Sequence, residues 1–328
     1  MSQANVLVFG GTHFIGRVLV EKILDEQLPY DLTLFNRGQS NPGIFPEIKR
    51  ITGDRETSDI NAVLNSNWDY IIDINGYYPD SIEQLIPKLK GKVGRYIYIS
   101  TVSVYDPVLM DGEKLVAEDD PLLSCTAEQR KGSWSEHYGE KKAECERIIL
   151  SNTWLDSVIL RPSIVYGKYD YTERYYYWLQ RIKTRNAILI PNEGRERANL
   201  TFVNDLASMI VESLTMKHSR SSYNAVTHAV NTLREKVEAI ASVMNKSPRF
   251  ASTSQQDVAT SRNFPCTAER DYLIYNLDNL NKDFTYPRTS YLDSIAKTIE
   301  YYDSATSWKP GTRGMSIEVE DTLLHNLL

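Results

Sequence analysis

Val6-Leu7-Val8-Phe9-Gly10-Gly11-Thr12-His13-Phe14-Ile15-Gly16-Arg17 is the stretch whose reading decides the fold. Four apolar residues run into two glycines, a third glycine follows at Gly16, and Val18, Leu19, Val20, Ile23 and Leu24 then recur at helical spacing. The pattern predicts a buried strand, a tight turn and a helix. Gly10 allows the turn, and Gly16 allows the helix to approach the strand closely. Gly11, Thr12, His13, Phe14 and Ile15 lie between them, so their backbone N–H groups open a helix and point at an anion. In this strand–turn–helix context the expected anion is the pyrophosphate of a dinucleotide. His13 stands where a middle glycine would leave the approach open. Its side chain either crowds the phosphates, bonds to them, or points to solvent.

Outward from this turn, strands and helices alternate. Asp31 to Asn36 reads as a second strand and Arg50 to Thr52 as a third. Tyr70 to Ile74 reads as a fourth strand and Tyr96 to Ser100 as a fifth, with a helix over Ile82 to Leu89 between them. Ser157 to Pro162 reads as a sixth strand. The alternation predicts an α/β chain with a Rossmann-type, doubly wound parallel sheet. In such sheets ligands sit beyond the carboxyl ends of the strands. The end of the second strand reads the adenosine ribose. An acid there suits NAD, and an arginine suits the 2′-phosphate of NADP. The residues here are Asn36 and Arg37, which favours NADP(H) and leaves NAD(H) open. Asp54 and Arg55 end the third strand as candidate cofactor contacts, with Asp54 in range of the adenine amino group. Asn75 and Gly76 end the fourth strand and lie against the cofactor.

Chemistry enters at Ser100-Thr101-Val102-Ser103, where three hydroxyls stand at the carboxyl end of the fifth strand. A long segment, Asp106 to Glu136, follows and reads as a flap over the substrate or as a surface excursion. Tyr138 and Lys142 then share one face of a helix at four-residue spacing. A cation beside a phenol lowers its pKa, and a phenol so tuned acts as a general acid or base at a carbinol or carbonyl oxygen. The neighbouring Lys141 reads as solvated. Pro162, Ser163 and Val165 lie where the chain turns away, beside the nicotinamide.

The order of glycine-rich turn, hydroxyl-bearing strand end, Tyr-x-x-x-Lys and Arg161-Pro162-Ser163-Ile164-Val165-Tyr166-Gly167 resembles the extended short-chain dehydrogenase/reductase family, the NAD-dependent epimerase/dehydratase type. The likeness runs motif by motif over residues 5–210 and weakens beyond. It implies that Thr101 holds the reacting oxygen, that Tyr138 is the acid/base, and that Lys142 holds the nicotinamide ribose and tunes the tyrosine. It implies an NAD(P)-dependent epimerase, dehydratase or reductase, and a homodimer through the helices after the fourth and fifth strands. No carboxylate follows Thr101, which counts against a dehydratase. Gly-Gly-Thr-His-Phe-Ile-Gly together with Phe35-Asn36-Arg37-Gly38 is most similar to an atypical branch that includes chloroplast stem-loop RNA-binding proteins.

The resemblance implies a dinucleotide-binding domain over residues 1–167, to which about 200–230 returns. Residues 168–328 form a smaller, partly discontinuous substrate domain. Tyr171, Tyr175, Tyr176, Tyr177 and Trp178 line a cleft or pack. Arg174, Arg181, Lys183, Arg185, Arg195 and Arg197 make a basic stretch suited to a nucleotide diphosphate, with RNA as the larger alternative. Arg174, Arg197, Ser103 and Tyr77 are the candidate contacts to a small-molecule substrate, here a nucleotide sugar. The polar stretch Ser252 to Arg262 reads as mobile, and the leucines after Pro310 dock on the body or on another subunit. A net charge of −6 argues against a general nucleic-acid binder. Three scattered cysteines form neither a zinc site nor a disulfide framework, and no apolar run spans a membrane. The expectation is a cytoplasmic protein without a metal.

Overall fold

A computed structural model describes residues 3–106, 115–197, 199–218, 221–228, 232–254, 256, 258, 260, 262–266, 274–305 and 311–327. The first half alternates β1 (Ala4–Phe9), α1 (Phe14–Asp25), β2 (Tyr30–Asn36), β3 (Lys49–Thr52), β4 (Trp68–Asp73), α2 (Pro79–Leu85) and β5 (Val93–Ile99). Then come the two-residue β6 (Leu115–Val116), α3 (Tyr138–Ser151) and β7 (Asp156–Pro162). The expected amphipathic stretch Ile60 to Leu64 is a 3₁₀ segment, Ser58–Asn65. The helix expected over Ile82 to Leu89 stops at Leu85, and Ile86–Leu89 is a 3₁₀ turn. Pro87 has no N–H with which to continue the α-helical ladder.

Seven strands form one parallel sheet in the order β11-β7-β5-β4-β1-β2-β3, where β11 is Ser222–Ala225. Helices α1 and α5 (Val203–Thr215) cover one face through Val18, Leu19, Leu206 and Ile210. Helices α2 and α3 cover the other through Ile82, Leu85, Cys145 and Ile149. With both faces covered, the strands are apolar runs rather than alternating ones, and Val6 to Phe9 are all 0% exposed. The strand order reverses beside β1, where β2 and β4 flank it. The carboxyl ends of β1 and β4 therefore open onto one crevice, the place where such sheets bind ligands.

The second half builds a separate apolar cluster. The chain leaves β7 through Ser163 and continues as β8 (Ile164–Tyr166), which pairs with β10 (Leu200–Phe202), rather than simply turning away. Helix α4 (Arg174–Thr184) buries Tyr175, Tyr176, Tyr177 and Trp178, so these aromatics are packing and only Tyr171 is exposed. Strand β9 (Ala187–Pro191) pairs with β12 (Arg249–Thr253), which takes the first two residues of the stretch expected to be mobile. Four others in that stretch lie outside the described residues. Helix α6 (Leu233–Val243) starts on a capping box from Thr232 and Glu235. Strand β13 (Ile274–Tyr275) pairs with β6, and α7 (Asp278–Asp283) and α8 (Tyr291–Ala305) follow. Helix α9 (Ile317–Leu327) docks Leu323 and Leu324 on this second cluster, while Leu328 lies outside the described residues. Among the described residues no helix is long and apolar enough to cross a membrane.

Candidate active site

The cradle at the end of β1 follows from backbone sterics. Gly10 and Gly11 hold φ of +111° and +91°, open to glycine and closed to most side chains. A Cβ on Gly16 would lie 2.6 Å from the Gly11 nitrogen, so α1 can rest on the turn only with glycine there. His13 caps α1 without a side-chain bond, and the first turn carries no acid. The leading N–H groups and the positive end of the helix dipole thus face the crevice unopposed. Asn36 and Asn41 hold the loop by donating to the carbonyls of Gly10 (3.2 Å) and Thr12 (2.8 Å). Thr12 is buried and Ile15 half-buried. The His13 imidazole, set against the Tyr171 ring at 4.5 Å, has its pKa lowered by burial.

At the end of β2, the Asn36 side chain turns back on the chain, donating to Gly10 O and accepting from Gly38 N–H at 2.9 Å. Arg37 is exposed. Asp54 accepts from the Glu56 N–H at 3.0 Å, closing its own turn. Arg55, expected to contact the cofactor, is anchored within the protein. Its guanidinium is buried and grips Asp73 at 2.6 and 2.8 Å and Asn75 Oδ1 at 2.9 Å. Asp73 also accepts from Tyr96 OH and from the Asn75 N–H. Burial alone would raise the Asp73 carboxyl, but the Arg55 charge and the bonds from Arg55 and Tyr96 hold it below its ordinary value. Arg55 and Asp73 therefore set the backbone of Asn75 and Gly76, from beneath.

Lys142 rises from α3 into the same spot. It is 1% exposed, and its Nζ donates to Gly76 O at 3.0 Å and Ile99 O at 2.7 Å. It lies 4.0 Å from the Tyr98 ring centroid, and Tyr98 OH donates to Gly76 O at 2.7 Å. Burial brings its pKa down to about 8, partly offset by Cys145, Asp73 and Glu146. One turn earlier on α3, the Tyr138 phenol lies near enough to Thr101 for that hydroxyl to offset part of its pKa rise. Thr101 Oγ1 also accepts the Ser103 N–H at 3.2 Å and donates to Ser103 Oγ at 3.2 Å. Helix α3 can begin this close because residue 139 is glycine: a Cβ there would lie 2.3 Å from Ser103 O. The sequence predicts a phenol lowered by its lysine. Instead burial pushes Tyr138 up to about 12, with the Thr101 hydroxyl and the Arg174 charge offsetting part of the rise. The amino group is spent on two carbonyls, and desolvation of the phenolate is the larger effect.

Around this set, Tyr77 lies 6.3 Å from Tyr138 between ring centroids, and Trp134 lies 5.4 Å from Tyr77 and 6.4 Å from Tyr138. Trp134 is 49% exposed, so the segment after Asp106 does reach the site, although its residues 107–114 lie outside those described. It is anchored by Arg130, which donates to Asp80, Glu83 and Glu144 at 2.8–2.9 Å. Lys141, expected in solvent, is 0% exposed, donates to Ser133 O at 2.7 Å and lies 5.5 Å from the Tyr78 ring centroid. Ser100 is buried beside Thr101 and its Oγ has no protein partner among the described residues. Ser163 is tied to Thr201 Oγ1 through its N–H (3.1 Å) and hydroxyl (3.0 Å), Pro162 ends β7, and Val165 is half-buried on the first core.

The basic stretch does not form a patch. Arg181 is buried on Glu320 and Met315 O, Lys183 meets Asp303, Arg185 meets Asp321, and Arg195 meets Glu193. Arg174 is exposed and influences Tyr138. Arg197 bridges Thr232 on the second lobe with its buried Nη1 unpartnered among the described residues. Sequence reading passed over Asp73, Tyr98 and Trp134 as site residues and held Tyr171 only within an aromatic cluster that lines a cleft or packs. An acid in the apolar run Tyr70 to Ile74 was the available signal for Asp73. Nothing local marks Tyr98 or Trp134. Among the described residues no cluster of His, Cys, Asp or Glu is placed to hold a metal. The glycine cradle, and a buried Ser100 hydroxyl with no partner among the described residues, fit a dinucleotide.

The sequence model of the NAD dependent epimerase/dehydratase family matches residues 6–226. Among solved structures, dTDP-glucose 4,6-dehydratase of Bacillus anthracis str. Ames, in complex with NAD, is similar at a TM-score of 0.71 and 18% identity, covering 93% of this chain and 98% of that one. UDP-N-acetylglucosamine 4-epimerase of Methanobrevibacter ruminantium M1, in complex with UDP-N-acetylmuramic acid, is similar at 0.72 and 18% identity, covering 93% and 99%. These likenesses carry the fold. The chloroplast stem-loop binding protein of 41 kDa b from Arabidopsis thaliana is 28% identical over 239 residues, 68% of this chain. The chain thus spans only 58% of that relative's length.

Proposed function

Starting from a chain that belongs to the NAD dependent epimerase/dehydratase family, we propose that it is an NADP(H)-using oxidoreductase or epimerase acting at a carbinol or carbonyl carbon of a nucleotide sugar. The observation that carries this reading is the Tyr138 phenol beside Thr101 at the end of β5, with Lys142 fixed on Gly76 O and Ile99 O one helical turn away. A pyridine nucleotide supplies the hydride donor or acceptor when bound. The residues at Gly10 to Gly16 would hold its pyrophosphate, Arg37 its 2′-phosphate, and Lys142 the ribose next to the nicotinamide. Two of the three N–H directions of Lys142 are used by carbonyls, which leaves one for a ribose hydroxyl.

Thr101 orients the reacting oxygen by hydrogen bonding. Tyr138 holds the proton at its phenol oxygen and gives it to, or takes it from, that oxygen. Tyr138 rests protonated, and burial, which pushes its pKa up to about 12, favours the form that gives its proton to the reacting oxygen only as negative charge develops there. Tyr77 and Trp134 give a ring-shaped substrate an apolar wall, and Arg174 gives its anionic group a cation. The preference for NADP(H) rests on the exposed Arg37 and the absence of an acid at Asn36, although the similar Bacillus anthracis dehydratase holds NAD. Three cysteines in the thiol form, two of them buried, suit the reducing cytoplasm.

The test is nucleotide titration of the full chain, followed by turnover of UDP-sugars. The reading requires NADPH or NADH to bind wild type and Tyr138→Phe alike, while the variant loses about 10²-fold or more in kcat. Failure of both nucleotides to bind would refute it. The likeness to the stem-loop binding protein supports RNA binding as the second reading. It predicts affinity for a stem-loop RNA that falls steeply with salt. The neutralised basic stretch weighs against it.

A further inference from the structure

One loop packs on the start of α1, beside the glycine cradle. Residues 167–173 leave β8, pass over the start of α1 and enter α4. Tyr171 lays its ring 4.5 Å from His13 and edge-on to Phe14 at 6.1 Å, yet is 57% exposed. Its phenol is also close enough to Tyr77 and Tyr138 to raise the pKa of both. Tyr171 thus stands on the cradle, within electrostatic reach of the Tyr138 end of the site.

The loop is fastened to the helix that opens the cradle. The Arg17 guanidinium lies 3.7 Å from the Tyr169 ring centroid, and Glu21 accepts from Lys168 Nζ at 2.6 Å and from Tyr169 OH at 2.8 Å. Asp170 is buried and accepts from the N–H and hydroxyl of Thr172 at 2.8 and 2.6 Å. Phe14, Tyr169 and Glu173 hold φ of +36°, +65° and +56°. Side-chain-bearing residues keep such backbone only where surrounding contacts over-determine it. The contacts that do so here all bear on where Tyr171 sits.

We propose that Tyr171 and His13 form a clasp that retains the dinucleotide. The inference rests on the cofactor reading given above. A ligand reaching from the glycine turn to Tyr138 lies beneath Tyr171, and it leaves only when the Tyr171 and His13 rings part. The side chain at position 13, where the motif would carry glycine, is the half of the clasp fixed to the cradle. Tyr171 is the half carried by the loop. Retention of this kind suits a reaction in which one substrate gives up and regains the same hydride and proton, with no net oxidation. It does not suit a reductase, which must exchange its nucleotide at every turnover.

The experiment is the rate of nucleotide release from the full chain. Protein loaded with NADPH, and separately with NADH, is mixed with excess oxidised nucleotide, and the loss of bound-nucleotide fluorescence is followed by stopped flow. Release from Tyr171→Ala and His13→Gly is expected to be about tenfold faster than from wild type, the loss of one aromatic stack. Tyr171→Phe keeps the ring and is expected to release at the wild-type rate. Thermal unfolding of the nucleotide-free variants, which change exposed side chains, should match wild type. Wild-type release rates in Tyr171→Ala would overturn the clasp and leave the cofactor reading standing. Absence of binding to wild type would overturn both.

Discussion

Replacing Asp73 with alanine removes the partner of a buried cation, and the structure sets the size of the effect. Asp73 is 0% exposed and takes both guanidinium N–H groups of Arg55, the Tyr96 hydroxyl and the Asn75 N–H. In Asp73→Ala, Arg55 stays buried with only Asn75 Oδ1 and the more distant Glu56, at 3.7 Å, as acceptors. Stranding one member of such a pair costs about 3–5 kcal/mol. At about 2.1 cal/mol/K of unfolding entropy per residue over 328 residues, a loss of about 4 kcal/mol lowers Tm by about 6 °C if the chain unfolds as one unit. Urea unfolding with a common slope gives the free energy directly. The double variant Arg55→Met, Asp73→Leu removes both charges and should lie closer to wild type than Asp73→Ala does. The pH dependence has a definite sign. A carboxyl held below its ordinary pKa contributes stability above the unfolded pKa and loses it as pH falls through the folded value. The gap between wild type and Asp73→Ala should therefore persist to pH 4 and close only below it. A loss under about 1 kcal/mol at pH 7 would refute the assignment of Arg55 and Asp73 as the prop beneath Gly76.

Arg37→Ala should weaken NADPH binding by about tenfold to a hundredfold and leave NADH unchanged, since a charge-assisted phosphate contact is worth about 1.5–3 kcal/mol; equal losses for both nucleotides would remove Arg37 from the 2′-phosphate. Gly16→Ala puts a Cβ 2.6 Å from the Gly11 nitrogen and should destabilise the chain by about 1–3 kcal/mol while abolishing nucleotide binding, read by urea unfolding and titration. For Lys142, burial lowers the folded pKa to about 8, so between pH 8 and the unfolded value the unfolded chain binds the extra proton and stability rises with pH. Unfolding of wild type and Lys142→Met across pH 7 to 10 should show wild type gaining on the variant through that window, and parallel curves would contradict the burial of the amine.

The first five strands and the cradle were legible because each rests on local chemistry. An apolar run of β-strand length, a glycine pair that alone tolerates positive φ, and hydroxyls placed just after a strand are all visible within a dozen residues. Tyr138 and Lys142 were legible for the same reason, through helical spacing on α3. Other features depended on what distant segments bring to the same place. Lys141 and Lys142 are adjacent and identical in sequence, and both are buried, one under Ser133 and Tyr78 and the other under Gly76, Ile99 and Tyr98. Arg55 looked free for a cofactor until β4 brought Asp73 beside it, and the basic run from Arg181 to Arg195 was balanced largely by acids more than a hundred residues away. The direction of the Tyr138 pKa shift turned on burial, which no spacing encodes. Sequence thus determined which backbone shapes and side-chain chemistries were available. Tertiary structure decided which charges were neutralised, which rings met, and that His13 faces Tyr171, because those outcomes depend on distances across the fold.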